Sequence, residues 1–287
     1  MKPSESFMGR LFFSFLGIHM LDLSTLKLGF IGFGNMAGAM ADGFLRAGVL
    51  PGARLGASSR RFDVLKAKCE ARGMRAFDST EALVDWADVV IVAVKPYLVE
   101  TVLAPVADRL KVKVVLSVAV NLLFDAYEKI LPEGTRHLSL LPNTPVAVNE
   151  GISLCEATHS LGDEKAVVEA LLSSLGLCAF VETKTMSAAG TLAGCGPAFA
   201  ALFIEALSDG AVKHGVPRAL ATSLAAQMLA GTAKLQLATG MHPGAMKDAV
   251  CSPGGTTIIG VSALERRGFR SAVIDAIDAI ETREGRL

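Results

Sequence analysis

From residue 27 to about residue 184, short apolar runs alternate with longer segments whose apolar positions return every three or four residues. KLGFIGF (27–33), RLGASS (54–59), DVVIVAV (88–94), KVVLSVAV (113–120), RHLSLLP (136–142) and CAFVE (178–182) read as strands. Between them, 37–48, 62–73, 81–87 and 164–176 read as helices, three of them closed by Gly48, Gly73 and Gly176. Strands separated by helices in this way predict βαβ units and a parallel sheet. Beyond about residue 185 no β-branched strand runs remain, and 196–215, 218–240 and 257–268 all carry helical periodicity. Their alanine and glycine content predicts close helix–helix contacts. The chain therefore divides into an extension (1–26), an α/β domain (27–185) and an all-α domain (186–287).

Composition narrows the class. The 287 residues are 51% hydrophobic and 20% charged, enough to bury a large core. Twenty-eight basic residues balance 28 acidic ones, and no Lys/Arg block appears, which argues against a nucleic-acid partner. Five scattered cysteines with no CxxC pair point to a reducing compartment, to no disulfide framework and to no metal site. LFFSFLGIHML (11–21) is too short to span a bilayer and lacks a small-x-small cleavage site before the first strand. It reads as a dispensable extension of a cytoplasmic protein, with organellar import through residues 1–26 as the weaker alternative. The uncharged run 186–204 holds Ser187, Thr191, Pro197 and three glycines; small residues at that density predict a helix buried inside the protein and no membrane span.

Candidate chemistry begins at the first strand. Gly32-x-Gly34-x-x-Ala37 follows that strand and opens a helix, the context a dinucleotide fingerprint requires. The first glycine permits the tight turn, the second lets the backbone approach a pyrophosphate, and the small third position lets helix pack on strand. Alone, a plain strand–turn–helix would explain it equally simply. The end of the second strand says more. Where an NAD site places Asp or Glu against the ribose 2′-hydroxyl, this chain reads Ala57-Ser58-Ser59-Arg60-Arg61. Hydroxyls and a guanidinium fork suit a 2′-phosphate, so NADPH is the expected cofactor and NADH the weaker alternative.

GFIGFGNMAGAM (29–40), AVKP (93–96), LPNTP (141–145), AGCGPAF (193–199) and above all VCSPGGTTI (250–258) resemble pyrroline-5-carboxylate reductase, in order and with family-like spacing from Leu28 to the C-terminus. The resemblance implies a Rossmann-type dinucleotide-binding domain followed by an all-α dimerisation domain. It also implies hydride transfer from NAD(P)H to the C=N bond of 1-pyrroline-5-carboxylate, giving L-proline. The active site would lie between the nicotinamide of one subunit and helical-domain loops of the dimer. Mapped onto the motifs, Gly32, Phe33, Gly34, Asn35, Met36, Ser58, Ser59, Arg60, Val94, Lys95, Pro96 and Asn143 would contact the cofactor. Pro197, Gly254, Gly255, Thr256 and Thr257 would contact the substrate, with Thr257 beside the imine nitrogen. The physics of SPGGTT agrees: it precedes an apolar run, so it should open a helix whose free N–H groups hold a small carboxylate without arginine. An ordinary capped helix start is the plainer reading of the same residues.

Hydroxyacid dehydrogenases of similar layout use a lysine early in the second domain, and no lysine lies between Lys184 and Lys213. Several positions depart from the family's pattern: Cys195 stands for Ser, Phe199 for Tyr, Ala119-Val120 for an alanine–glycine pair, and Ser139 and Leu141 often for Arg and Met. They leave two other readings open, a reductase for a related cyclic imine such as a piperideine and a non-catalytic NADP-binding regulator. The expected partners are a small cyclic imine carboxylate and a second copy of the chain, as a homodimer or a higher oligomer built from dimers.

Overall fold

The computed structural model describes residues 22–158 and 160–283, so the apolar stretch 11–21 lies outside the described residues. The described residues hold eight strands: β1 Leu28–Ile31, β2 Leu55–Ser58, β3 Arg75–Phe77, β4 Val89–Val92, β5 Val114–Ser117, β6 Arg136–Pro142, β7 Gly151–Glu156 and β8 Gly176–Val181. They form one sheet in the order β3-β2-β1-β4-β5-β6-β7-β8. The first six follow the doubly wound dinucleotide-binding order, with the switch point between β1 and β4.

Helices α1 Asn35–Ala47, α2 Phe62–Glu70, α3 Thr80–Trp86, α4 Val99–Leu103, α5 Ala107–Leu110, α6 Phe124–Ile130 and α7 Lys165–Ser173 cover the sheet. Period-two alternation divides β1, β4 and β5 between two cores. Phe30 and Ile91 join Met40, Phe44, Leu65 and Leu171 on one face, while Ile31 and Val90 join Leu83, Leu103 and Tyr127 on the other. All four residues of β4 are fully buried, each worth about 1.5–3 kcal/mol of apolar burial.

The expectation of a purely parallel sheet is corrected at β6 and β7, which pair antiparallel. The connection from Pro142 to Gly151 is shorter than the dozen or so residues a parallel crossover needs, so the chain can only turn back. β7 (GISLCE) and the edge strand β3 (RAF) were not foreseen; neither carries a run apolar enough to announce a strand. β8 then returns parallel to β7 through α7.

Between Met186 and Arg283 the chain is mainly helical: α8 Met186–Lys213, α9 Arg218–Thr239, α10 Pro243–Ala249, α11 Thr256–Arg266 and α12 Phe269–Arg283. α8 packs on α9 and α12, and its first half leans on β6 and β7. A small core of Leu154, Met186 and Ala193 joins it to the sheet. The expected burial of residues 186–204 is not what one chain shows. Leu192 and Leu202 are 67% and 66% exposed among the described residues. The segment Thr183–Lys213 is also long and apolar enough, by length and composition alone, to cross a membrane.

Candidate active site

The turn between β1 and α1 is built around Gly32. Its φ of +88° is one that L side chains rarely adopt, and a Cβ there would stand 2.7 Å from Val94 Cγ1 and 2.9 Å from the Ala93 carbonyl oxygen. Gly32 N–H donates to the Ser58 carbonyl (2.8 Å) and Ala93 N–H to the Ile31 carbonyl (2.8 Å), so the ends of β2, β1 and β4 meet at one point. Beyond it, Gly34 caps α1 without any side-chain hydrogen bond, and a Cβ there would meet nothing within 4 Å. The first N–H groups of α1 (Asn35, Met36) are left without a side-chain cap at the positive end of a 13-residue helix. Buried Ala37 lets α1 seat on the sheet, and at Gly43 a Cβ would fall 2.2 Å from the Val146 carbonyl oxygen, so only glycine permits that approach.

At the end of β2, Ser58 is buried and its hydroxyl lies 3.5 Å from Thr80 Oγ1. Ser59 is half-buried, while Arg60 and Arg61 are exposed and have no ion-pair partner among the described residues. No carboxylate follows β2 before Asp63, within α2. An open helix N-terminus, a glycine turn no side chain could enter and unpaired guanidinium groups at the second strand fit a phosphorylated dinucleotide. Val94, Lys95 and Pro96 follow β4 beside this turn, with Lys95 exposed, and Phe33 packs edge-on to Phe30 with centroids 5.8 Å apart.

The second half of the expected site lies on the helical domain. Ser252-Pro253-Gly254-Gly255 form a turn closed by Gly255 N–H donating to the Ser252 carbonyl (3.0 Å). Pro at the second position and Gly254 at φ +71° in the third are the signature of a type II turn. Gly255 then caps α11 with no side-chain bond, so the N–H groups of Thr256 and Thr257 open outward; both residues are exposed. A Cβ on Gly255 would meet Ser252 Oγ at 2.4 Å. α11 packs on α12, and α12 on α8.

Asn143, expected among the cofactor residues, is turned into the protein. It is buried, its Nδ2 donates to the Ala193 carbonyl (3.0 Å), and its Oδ1 accepts from Ile152 N–H (2.8 Å). Pro197 is half-buried inside α8, near Cys195 and Phe199, also half-buried. Sequence reasoning missed several buried polar links around these elements. Glu156 accepts from the Phe124 N–H and the Thr183 hydroxyl (2.7 Å each), capping α6 and tying it to the start of the helical domain. Ser117 and Tyr127 hydroxyls bond beneath the end of β5, and Glu281 of α12 accepts from Ser187 and Thr191 of α8. Such pairs lie 10 to 94 residues apart and leave no local pattern to read. His242 caps α10 by accepting from Gly244 N–H at 3.1 Å. Among the described residues no cluster of three His, Cys, Asp or Glu is placed to hold a metal, and all five cysteines are free.

Fold and turn geometry together define a doubly wound dinucleotide-binding protein with an appended helical domain. Family models match both halves: "NADP oxidoreductase coenzyme F420-dependent" over residues 27–121 and "Pyrroline-5-carboxylate reductase dimerisation" over 183–287. The chain is 43% identical to the pyrroline-5-carboxylate reductase of Treponema pallidum, over 88% of this chain and 98% of that one. Among solved structures it resembles pyrroline-5-carboxylate reductase from Coxiella burnetii (31% identity, TM-score 0.81, covering 90% of this chain and 97% of that one). It also resembles the NADP-bound Plasmodium falciparum enzyme (28% identity, TM-score 0.80, the same shares). The chain belongs to the pyrroline-5-carboxylate reductase family.

Proposed function

We propose that the protein reduces 1-pyrroline-5-carboxylate to L-proline with NADPH, as the last step of proline biosynthesis, in the cytoplasm. Two pieces of its chemistry stand on separate domains, for which we propose the bounds 27–185 and 186–287. The observation that carries the reading is the pair of uncapped helix N-termini, α1 beneath Gly34 and α11 beneath Gly255. Each is entered through glycines and each suits an anion, one the cofactor pyrophosphate and the other a substrate carboxylate.

In this reading Gly32, Gly34 and the N–H groups of Asn35 and Met36 hold the pyrophosphate, and Ser58, Ser59 and Arg60 take the 2′-phosphate. Val94, Lys95 and Pro96 line the cofactor's path across the sheet. When bound, the dihydronicotinamide supplies the hydride. The protein's own task is placement, since the imine needs only to be held in line and to gain one proton. The Thr256 and Thr257 N–H groups and Gly254-Gly255 fix the carboxylate. The Thr257 hydroxyl stands beside the imine nitrogen to orient it and to donate or relay that proton. Half-buried Pro197 borders the ring.

α11 packs on α12 within its own chain, and its entry turn is exposed. We therefore propose that the SPGGTT turn of one subunit faces the glycine turn of another, in a homodimer or a higher oligomer of dimers. The test is loss of 340 nm absorbance when purified protein meets NADPH and a panel of cyclic imines. Turnover fastest on the five-membered imine carboxylate, with proline formed, supports the reading. Faster turnover of a six-membered ring, or NADPH binding with no turnover, contradicts it.

A further inference from the structure

Pro197 has no N–H, so it cannot make the helical bond to the carbonyl four residues back, which belongs to Ala193. α8 nevertheless runs unbroken from Met186 to Lys213. Ala193 is buried, and an orphaned carbonyl there would cost on the order of 1–3 kcal/mol. Its missing donor comes from 50 residues earlier: Asn143 Nδ2 stands 3.0 Å from Ala193 O. The same side chain accepts from Ile152 N–H, and its backbone N–H donates to the Ile152 carbonyl (3.1 Å), so it is fixed to β7 at two points. Asn143 directly follows β6, which runs parallel to β5 and so, through β4, to β1. It therefore lies at the carboxyl edge of the sheet, the edge that carries the Gly32 turn and Val94.

We propose that Asn143 is a positioning residue. Its amide replaces the hydrogen bond that Pro197 removes from α8, and so seats the Gly194-Cys195-Gly196-Pro197 segment over the carboxyl edge of the sheet, where the reacting ring is held. Close approach on the same side of α8 supports this: a Cβ on Gly190 would fall 2.8 Å from Leu141 Cδ1, at the end of β6. The two halves of the device explain each other. Proline in mid-helix opens space beside the Ala193 carbonyl, and only a side chain with both a donor and an acceptor can bridge that carbonyl to the Ile152 N–H.

The proposal rests on the imine-reductase reading, and a double-mutant cycle separates the two. Asn143→Ala should raise KM for the five-membered imine by about tenfold, as a ring seat displaced by a fraction of an ångström would, with NADPH Kd within about twofold. In a Pro197→Ala background, residue 197 regains its N–H and satisfies Ala193 itself. The same Asn143→Ala change should then shift KM by less than about threefold, and its effect on the urea midpoint should shrink in parallel. Equal effects in both backgrounds would overturn the proposal. So would a loss of NADPH affinity with imine KM unmoved or, where both backgrounds turn over, coupling seen in unfolding alone. If Pro197→Ala by itself abolishes turnover, the unfolding cycle decides between coupling and independence. A wild-type protein that turned over no cyclic imine would sink the underlying reading while leaving that unfolding cycle intact.

Discussion

The two halves of the chain handle apolar surface in opposite ways. In the sheet domain β4 buries all four of its residues, and apolar clusters from the same chain lie on both of its faces. In the helical domain the 22 residues of α9 bury only Ala221 and Ala225, and α11 buries none. Leu220, Leu224, Met228 and Leu235 form one stripe along α9 at helical spacing, between 47% and 57% exposed. A stripe of that size left open marks an interaction face. The first half holds a finished core, whereas the second leaves an apolar helix face open among the described residues.

The largest expected effect comes from breaking that interface. Leu224→Glu combined with Met228→Glu should dissociate the oligomer and lower imine turnover by at least about 100-fold, since unpaired charges cannot be buried at an interface core. NADPH affinity should stay within about twofold, because the sheet domain is complete without a partner. Light scattering and cofactor titration on the same sample would show it; an oligomer that survives both charges places the interface elsewhere.

Within the finished half, Gly32→Ala should weaken NADPH binding by about 10- to 100-fold. It forces φ +88° on a residue with a Cβ and sets that Cβ against Val94, at about 1–3 kcal/mol of strain. The oligomer should persist, and unchanged affinity would mean that the turn is structural only. Within the open half, Thr257→Ala should lower kcat by about 100-fold, the low end for a positioned proton donor since water can substitute. Gly255→Val should instead raise imine KM, because its side chain would occupy the space of Ser252 Oγ and the incoming carboxylate. A drop in melting temperature alone, with kcat and KM preserved, would make SPGGTT an ordinary helix start. The smallest effect sharpens cofactor choice: Arg60→Ala should erode the NADPH-over-NADH preference by about 1.5 kcal/mol, roughly tenfold in relative KM. A wild type with equal KM for both cofactors would remove the exposed Arg60 from the account.

The same contrast governs what could be read from the sequence. Strands such as DVVIVAV were legible because both of their faces are buried by their own chain, so the apolar signal is local and dense. β7 was missed because Ser153 and Gly151 dilute its pattern, and its reversed direction is set by a connection length that no residue advertises. The Gly32 turn and the Ser252–Gly255 turn were legible because each needs glycine for a backbone reason at a fixed position. Asn143 was assigned to the cofactor on the family resemblance of the LPNTP motif. Its actual partner is a carbonyl that Pro197 frees 50 residues later in the chain, and only the fold puts the two together. The burial expected of α8 failed for a related reason. Apolar periodicity reports that a face will be covered, and it is silent on which chain does the covering.

Subunit complementation tests the central claim, that one chain supplies the cofactor turn and another the SPGGTT turn, most directly. Gly32→Ala and Gly255→Val would each be purified as homo-oligomers of low activity, then co-expressed under separate tags so that mixed dimers can be isolated. Each mixed dimer holds one site with both turns intact, so an unselected statistical mixture should recover about a quarter of wild-type turnover, and the tag-selected hybrid about half. Hybrids no more active than the parent variants would place both turns of each site on a single chain and contradict the account.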